Sequence, residues 1–403
     1  MASARGCVVK ADTRTAPRFA MVVPVRNYPR HALARTLESL RYQRGGSDDV
    51  EICVADYGSS EACARETETT AREWGAFHRV FDERGPWNRA RAINLGVRAT
   101  VAPVIIASDA DIVFAPDFLD CLRELAARTG PEWYAHMPML DLPRGVQLAP
   151  ERIAEDYHPV ASLAEQRVWS KGNVAFTRLL FERLRGWEEA FTVWGCEDNE
   201  FFDRCSRSDA PTFDLTGRTS CLHHWHPSNK RGEEARAAIA RNQVIYWPNE
   251  GRLPVVRSGP LAGEPPLDSH RPFSLPLVSM IVAGREPGLS TAVRLLCEQS
   301  YKAVEILRAD LDAGRFVVSD GFGTVTREGE LPSRIPEDAI AHCRTLATGD
   351  LLAAMDDGFR FPNDEHLVWA ILIPMLKGER PSRRFTWRCE DRGQGPEATR
   401  ASP

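Results

Sequence analysis

Short apolar runs that alternate with helix-spaced segments restrict this chain more than any other feature. Residues 18–25, 50–56 and 103–108 read as strands, and the first and last are apolar along nearly their whole length. Between them, residues 31–43 place Leu33, Leu37 and Leu40 on one helical face, and residues 61–74 and 88–99 also read as helices. Strands that alternate with helices build a mostly parallel sheet covered on both faces. Ligands bind such sheets at the carboxyl ends of the strands. Asp56, Asp109 and Asp111 all fall at such ends, so one crevice can collect them.

Two acidic clusters carry the chemistry. Asp109-Ala110-Asp111 directly follows the apolar run Val104-Ile105-Ile106-Ala107. Two carboxylates one residue apart at a buried strand end are a poor way to stabilise a core. They are a good way to hold Mn2+ or Mg2+ against a diphosphate. Such an ion offsets the charge that builds on a departing nucleoside diphosphate. The plainer alternative is an acidic loop capping the next segment. His223-His224-Trp225-His226 can complete the metal shell. Strand alternation would put His224 and His226 on one face and His223 on the other; the alternative is a histidine cluster at the core edge.

The second acidic cluster is Trp194-Gly195-Cys196-Glu197-Asp198-Asn199-Glu200. Asp198 is the candidate base, taking the proton of an acceptor hydroxyl as that oxygen attacks an anomeric carbon. Glu197 can bind acceptor hydroxyls. These acids also suit a helix N-terminus, and Phe201, Phe202 and Cys205 indicate a helix starting here; both readings can hold. Asp56 can accept from a uracil N3–H or simply cap its strand. Arg26, Arg89 and Arg91 can bind phosphate, with a solvated face the favoured reading for Arg91. Together these residues point to an enzyme that transfers a sugar from a nucleotide.

The 403 residues allow two domains. With 43% hydrophobic and 27% charged residues, the composition is that of a globular chain. A net charge of −5 gives no overall drive toward nucleic acid or anionic membrane, so a modified nucleic-acid base as acceptor would need a local basic groove over Arg84 to Arg98. No run approaches the roughly 20 apolar residues of a membrane span, and the first residues lack the apolar core of a signal peptide. Ten cysteines include no CxxC pair and read as reduced and mostly buried. The expected location is cytoplasmic, with peripheral membrane attachment allowed.

Residues 251–276 are rich in glycine and proline and read as a linker. After it the chain starts again. Val278 to Val282 echo Phe19 to Val23, and Arg285 falls where Arg26 falls. Val304 to Asp310 match Val50 to Asp56 at five of seven positions, and Met355 to Phe361 echo Ser108 to Phe114. Echoes in the same order indicate an internal repeat. In the second copy Gly358 stands where the first has Asp111, and no second acidic cluster or histidine-rich strand follows. The second copy is therefore expected to be catalytically dead.

The motifs, in this order, resemble nucleotide-sugar glycosyltransferases of the GT-A fold, family 2-like, and within them the group of β-1,4-galactosyltransferases, chondroitin polymerase and polypeptide N-acetylgalactosaminyltransferases. Pro24-Val25-Arg26-Asn27 is similar to the family's first-strand nucleotide motif, and Trp87-Asn88-Arg89-Ala90-Arg91 through Asn94-Leu95-Gly96 to a segment that lies along the donor. Asp109-Ala110-Asp111 matches the Asp-x-Asp metal motif. Lys171-Gly172-Asn173 sits where the family has a glycine-rich donor and acceptor turn, and His223 to His226 lie at its third metal ligand. Trp194 to Asn199 resemble Trp-Gly-Gly-Glu-Asp-Asp, with Cys196 in place of a glycine and Asn199 in place of an aspartate. The likeness runs from residue 18 to about 230. It implies a UDP-sugar donor bound by Pro24, Val25, Arg26, Asp56, Tyr57, Trp87, Arg89, Asp109, Ala110, Asp111, Lys171, Gly172 and Trp194. It also implies Mn2+ or Mg2+ held by Asp109, Asp111 and His223 or His226, and catalysis by Asp198 with Glu197.

The expected architecture is a Rossmann-like α/β GT-A domain over residues 1–250, a linker over 251–276, a truncated GT-A-like unit over 277–380 and a polar, disordered tail over 381–403. The expected activity is metal-dependent transfer from a UDP-sugar to a hydroxyl of a glycan or other acceptor, with inversion. Alternatives are a retaining transferase of the same fold and an inactive nucleotide-sugar-binding scaffold. The C-terminal unit is expected to brace the first, bind acceptor or mediate homo-oligomerisation.

Overall fold

The computed structural model describes residues 16–166, 171–226, 232–257, 275–358, 361, 363 and 367–377. Most of the expected linker and all of the expected tail lie outside these residues. The chain divides into two compact units. Among the described residues, the first takes the chain up to Glu189, then the stretches from Phe201 to His226 and from Pro254 to Arg257. The second takes Ala190–Glu200, Gly232 to Leu253 and everything from Leu275 on.

The first unit begins β1 (Phe19–Val25), α1 (Arg30–Ser39), β2 (Val50–Tyr57), α2 (Glu61–Glu73), β3 (Phe77–Phe81), α3 (Arg89–Arg98) and β4 (Val104–Ala107). It continues through β5 (Ile112–Phe114), α4 (Phe118–Arg128), β6 (Tyr134–His136), β7 (Met139–Asp141), α5 (Ile153–Ala161), β8 (Glu165–Gln166), β9 (Val174–Thr177) and α6 (Arg178–Leu184). After α7 (Glu197–Ser206) come β10 (Thr212–Asp214) and β11 (Cys221–His223). The expected strands and helices are present. The helix expected over 31–43 divides into α1 and a 3-10 turn at Leu40–Tyr42.

The main sheet runs β10-β6-β9-β4-β1-β2-β3, with β1 parallel to both β2 and β4. β1 is buried along its whole length because it is covered on both sides. Phe19, Met21, Val23 and Val25 join Leu33, Leu37, Phe118 and Leu122 of α1 and α4 on one face. Ala20 and Val22 meet Ile93 and Val97 of α3 and Leu180 and Leu184 of α6 on the other. Each large side chain so buried contributes on the order of 1.5–3 kcal/mol. α3 lies close to the sheet: a Cβ at Gly96 would stand 2.4 Å from Val22 Cγ1, so only glycine fits there. Asn88 caps this helix, its side chain accepting from the Arg91 N–H at 2.9 Å. A second sheet, β5-β11-β7-β8, carries His223 at the end of β11, with Asp141 as its register partner at the end of β7.

The second unit contains α8 (Glu233–Tyr246), β12 (Val278–Gly284), α9 (Gly288–Cys297), β13 (Val304–Asp310), β14 (Arg315–Asp320), β15 (Val325–Glu330), α10 (Pro336–Leu346), β16 (Leu351–Asp356) and α11 (Ile373–Leu376). Its sheet runs β15-β14-β13-β12-β16. The central trio reproduces β2-β1-β4 residue for residue. Phe19 pairs with Val50 and Val104, and Val278 pairs with Val304 and Leu351. Carried along the strands, this register sets Asp310 at Asp56 and Gly358 at Asp111, the same equivalences as the sequence echo. The copies part company at the edge, where β3 is parallel to β2 but β14 is antiparallel to β13.

Candidate active site

At the carboxyl ends of the strands, three side chains converge. One ligand atom each from Asp111, His223 and His226 lies within 4.8 Å of the others. The two Nε2 atoms are 3.2 Å apart, and His226 and His223 stand 3.2 and 3.6 Å from Asp111 Oδ2. His223 Nδ1 is 2.9 Å from Asp141 Oδ1, a partner that keeps the Nδ1 proton and leaves Nε2 facing the cluster, where it would lend its lone pair to a bound cation. Tyr28 donates to Asp111 Oδ2 at 2.8 Å. Burial and the neighbouring Asp111 push the Tyr28 hydroxyl well above its ordinary value, so it stays a donor. Burial alone would raise the Asp111 carboxyl, but hydrogen bonding with His223, His226 and Tyr28 holds it well below the usual carboxylate range.

This donor set fits a divalent cation. Asp111 Oδ1 is buried and meets no hydrogen-bond donor among the described residues. That costs free energy unless something positive reaches it. A carboxylate with two imidazoles, one backed by a second carboxylate, is the ligand chemistry of Mn2+ or a similar ion.

Strand alternation does not decide the histidine, because β11 ends at His223 and the chain then turns. His223 and His226 therefore face the same carboxylate. His224 is buried, its pKa lowered by that burial to about 4, so it is neutral. Asp109 is not in the cluster. Its Oδ1 receives Arg89 Nε at 2.8 Å, Arg89 also donates to Gly172 O at 2.6 Å, and the Asp109 N–H donates to Asn173 at 3.1 Å. Strand end, α3 and the Gly172 turn are thus one hydrogen-bonded unit. Lys171 places its Nζ 3.3 Å from the Phe202 ring centre.

Beside these groups, Arg26 donates to Gly85 O at 2.7 Å and lies 5.9 Å over the Tyr57 ring, which meets Trp87 edge-on at 5.7 Å. A groove of about 490 Å3 opens here, lined by Arg26, Gly58, Ser59, Val80, Phe81 and Glu83 among others. Pro24, Val25 and Ala110 are buried, with the Val25 and Ala110 side chains packed in the core. Asp56 is fully buried and committed: Oδ1 accepts from Ser59 N at 2.8 Å and Oδ2 lies 3.0 Å from His78 Nε2. In this structure it ties its own loop. Within the Arg84 to Arg98 stretch, Arg89 pairs with Asp109 and Arg91 with Glu83 and Glu189.

The second acidic cluster lies in the other unit. Glu197 and Asp198 open α7, and Trp194 is half exposed. Val193, Gly195 and Cys196 all have left-handed backbone, with φ of 65°, 95° and 73°. That conformation at Cys196 gives a physical reason for the family's glycine at this place. Asn242 of α8 holds the turn, donating to Thr192 O at 2.9 Å and Trp194 O at 3.0 Å. Tyr28, Asp141, His78 and Asn242 were not singled out from sequence, since nothing local marks a lone polar residue as a partner to one far along the chain.

Residues 20–138 match the family described as glycosyl transferase family 2, and residues 155–226 match the N-terminal domain of galactosyltransferase. The chain is 28% identical over 259 residues to chondroitin synthase of Escherichia coli, covering 55% of this chain and 36% of that protein. It is 26% identical over 221 residues to validoxylamine A glucosyltransferase of Streptomyces hygroscopicus subsp. limoneus, covering 47% and 48%. The chain thus spans a third to a half of the length of these curated relatives. Among solved structures, GalNAc-T7 with UDP, GalNAc and Mn2+ is similar at a TM-score of 0.43 and 14% identity, over 61% of this chain and 52% of that one. The two family matches bear out the resemblance to family 2-like glycosyltransferases read from the motifs.

Proposed function

We propose that this chain, with its glycosyl transferase family 2 segment, moves a sugar from a UDP-sugar to an acceptor hydroxyl with inversion. The observation that carries the reading is the Asp111–His223–His226 cluster, backed by Asp141 and steadied by Tyr28. Asp111, His223 and His226 would hold a divalent cation, Mn2+ or Mg2+, which would supply positive charge to offset that of a departing diphosphate. Arg26 lines the groove proposed for the nucleoside, with the Tyr57 ring against it and Trp87 against that ring, and Arg89 with Gly172 is proposed to lie along the donor. Asp198 is proposed as the base. The acceptor oxygen bonds to the anomeric carbon, its proton passes to the Asp198 carboxylate, and the carbon–oxygen bond to the diphosphate breaks with its electron pair. The role of Asp198 rests on its motif and its place at the start of α7. The proposed acceptor is a glycan or another hydroxyl-bearing molecule. No helix among the described residues is long and apolar enough to cross a membrane.

Calorimetry with a panel of UDP- and GDP-sugars, with Mn2+ and again with EDTA, tests the donor. Metal-dependent binding of a UDP-sugar is the expected result, and no binding of any donor would overturn the transferase reading. Asp198→Asn is expected to lower kcat at least about a hundredfold with UDP affinity kept. Loss of UDP binding together with turnover would remove the base assignment. The anomeric configuration of the product separates inversion from retention.

A further inference from the structure

Beside the cluster, two side chains sit in an arrangement that the proposed chemistry has not used. Trp225 immediately precedes His226 and is 47% exposed. The Arg144 guanidinium lies 4.8 Å over its ring. The turn that carries Arg144 is well fixed: Val146 N–H donates to Pro143 O at 3.1 Å, and Gly145 has φ +89°, so Arg144 stands at the corner of a turn that requires glycine next. Leu142 N–H ties the start of this turn to His223 O at 3.0 Å, and Leu142 and Leu148 on its flanks are buried with Leu222. The strands that deliver His223 and Asp141 therefore deliver Trp225 and Arg144 as well.

A large aromatic ring held open to water gives up apolar burial. Here Arg144 covers one face of the indole, and the exposed remainder of the ring is a surface of the kind that stacks on the C–H side of a pyranose. Next to it is a guanidinium, whose fork suits a carboxylate or phosphate. No carboxylate pairs with Arg144 among the described residues. We propose that Trp225 and Arg144 form an acceptor subsite for an anionic sugar, the ring on the indole and the acid group on the guanidinium; the acceptor role rests on the glycosyl-transfer reading above.

Saturation-transfer NMR on the full chain with UDP and Mg2+ tests this, using methyl β-D-glucuronide, glucose 6-phosphate and methyl β-D-glucoside as probes. The anionic sugars are expected to bind at least about tenfold more tightly than the neutral one, and the two anionic probes distinguish carboxylate from phosphate. Arg144→Gln should erase that preference, and Trp225→Ala should weaken all three. Equal affinity for neutral and anionic probes, no probe binding to wild type, or affinities unchanged in both variants would overturn the subsite. UDP affinity is measured on the same samples. If it falls in step with the glycosides in both variants, the pair belongs to the donor and the inference fails. If UDP fails to bind wild type while the glucuronide binds, the transferase reading falls and the anionic-sugar site stands.

Discussion

At Asp111, one carboxylate oxygen meets Tyr28 and both histidines while the other is buried without a donor among the described residues. The Asp141 carboxylate behind His223 fixes which ring nitrogen is available. Asp141→Asn is therefore expected to weaken Mn2+ binding about 10–100-fold, measured by calorimetry, with the fold intact by circular dichroism. An unchanged affinity would mean that His223 is not a ligand. Elsewhere in the unit, burial holds the His136 imidazole below its ordinary value despite Asp214 at 3.3 Å. The unfolded chain takes up this proton near pH 6.5 and the folded chain only at lower pH, so stability falls as pH drops below about 6.5. Thermal unfolding at pH 7.5 and 5.5 should show wild type losing more than His136→Gln over that step.

Among the elements, α3 has two tasks: its N-terminal turn presents Arg89 to Asp109, and Gly96 lets it approach β1 and β2. Gly96→Ala would drive a Cβ into Val22 Cγ1 and close to Ala55 Cβ. A central strand yields little, so the expected cost is about 1–3 kcal/mol in chemical denaturation. UDP affinity should weaken with it, because α3 cannot shift without moving Arg89. The Val193–Cys196 turn shows the opposite case, where left-handed backbone at Val193 and Cys196 is retained and Asn242 of α8 binds its carbonyls. Strain held against propensity marks a segment whose conformation is specified by its surroundings.

For the whole molecule, the two copies of the strand trio share register but not chemistry. In the second unit a glycine, Gly284, takes the place of Val25, and Asp357 takes the place of Ala110. A Cβ on Gly284 would stand 2.3 Å from the Asp357 carboxylate, whose Oδ2 accepts from Arg285 N–H at 2.7 Å. The acid has moved one position, folded back onto β12, and left Gly358 at the metal position. Arg285 and Arg308 are tied to Asp312 and to Glu286 and Asp310. Titration with UDP and Mn2+ should therefore give one site per chain; two sites would show that the second unit still binds nucleotide.

Much of this was legible in the sequence, because local pattern and local chemistry coincide there. Apolar runs such as Val104 to Ala107, set between helix-spaced segments, read as buried strands, strand ends expose the residues that follow them, and the echo of Val50 to Asp56 in Val304 to Asp310 carries the register of a sheet. Sequence alone thus determined the parallel α/β architecture and the repeat, and it offered Asp109, Asp111 and the histidine segment as metal candidates, of which the structure brings Asp111, His223 and His226 together. What it left open depended on which side chains meet across long separations. That His223 and His226 both turn to Asp111, that Asp109 pairs with Arg89, that Asp56 is spent on His78 and Ser59, that Asp141 and Tyr28 border the cluster and that Arg144 meets Trp225 follow from strand pairing and turn geometry. A hydrogen bond depends on distance and direction in space, and separation along the chain carries neither.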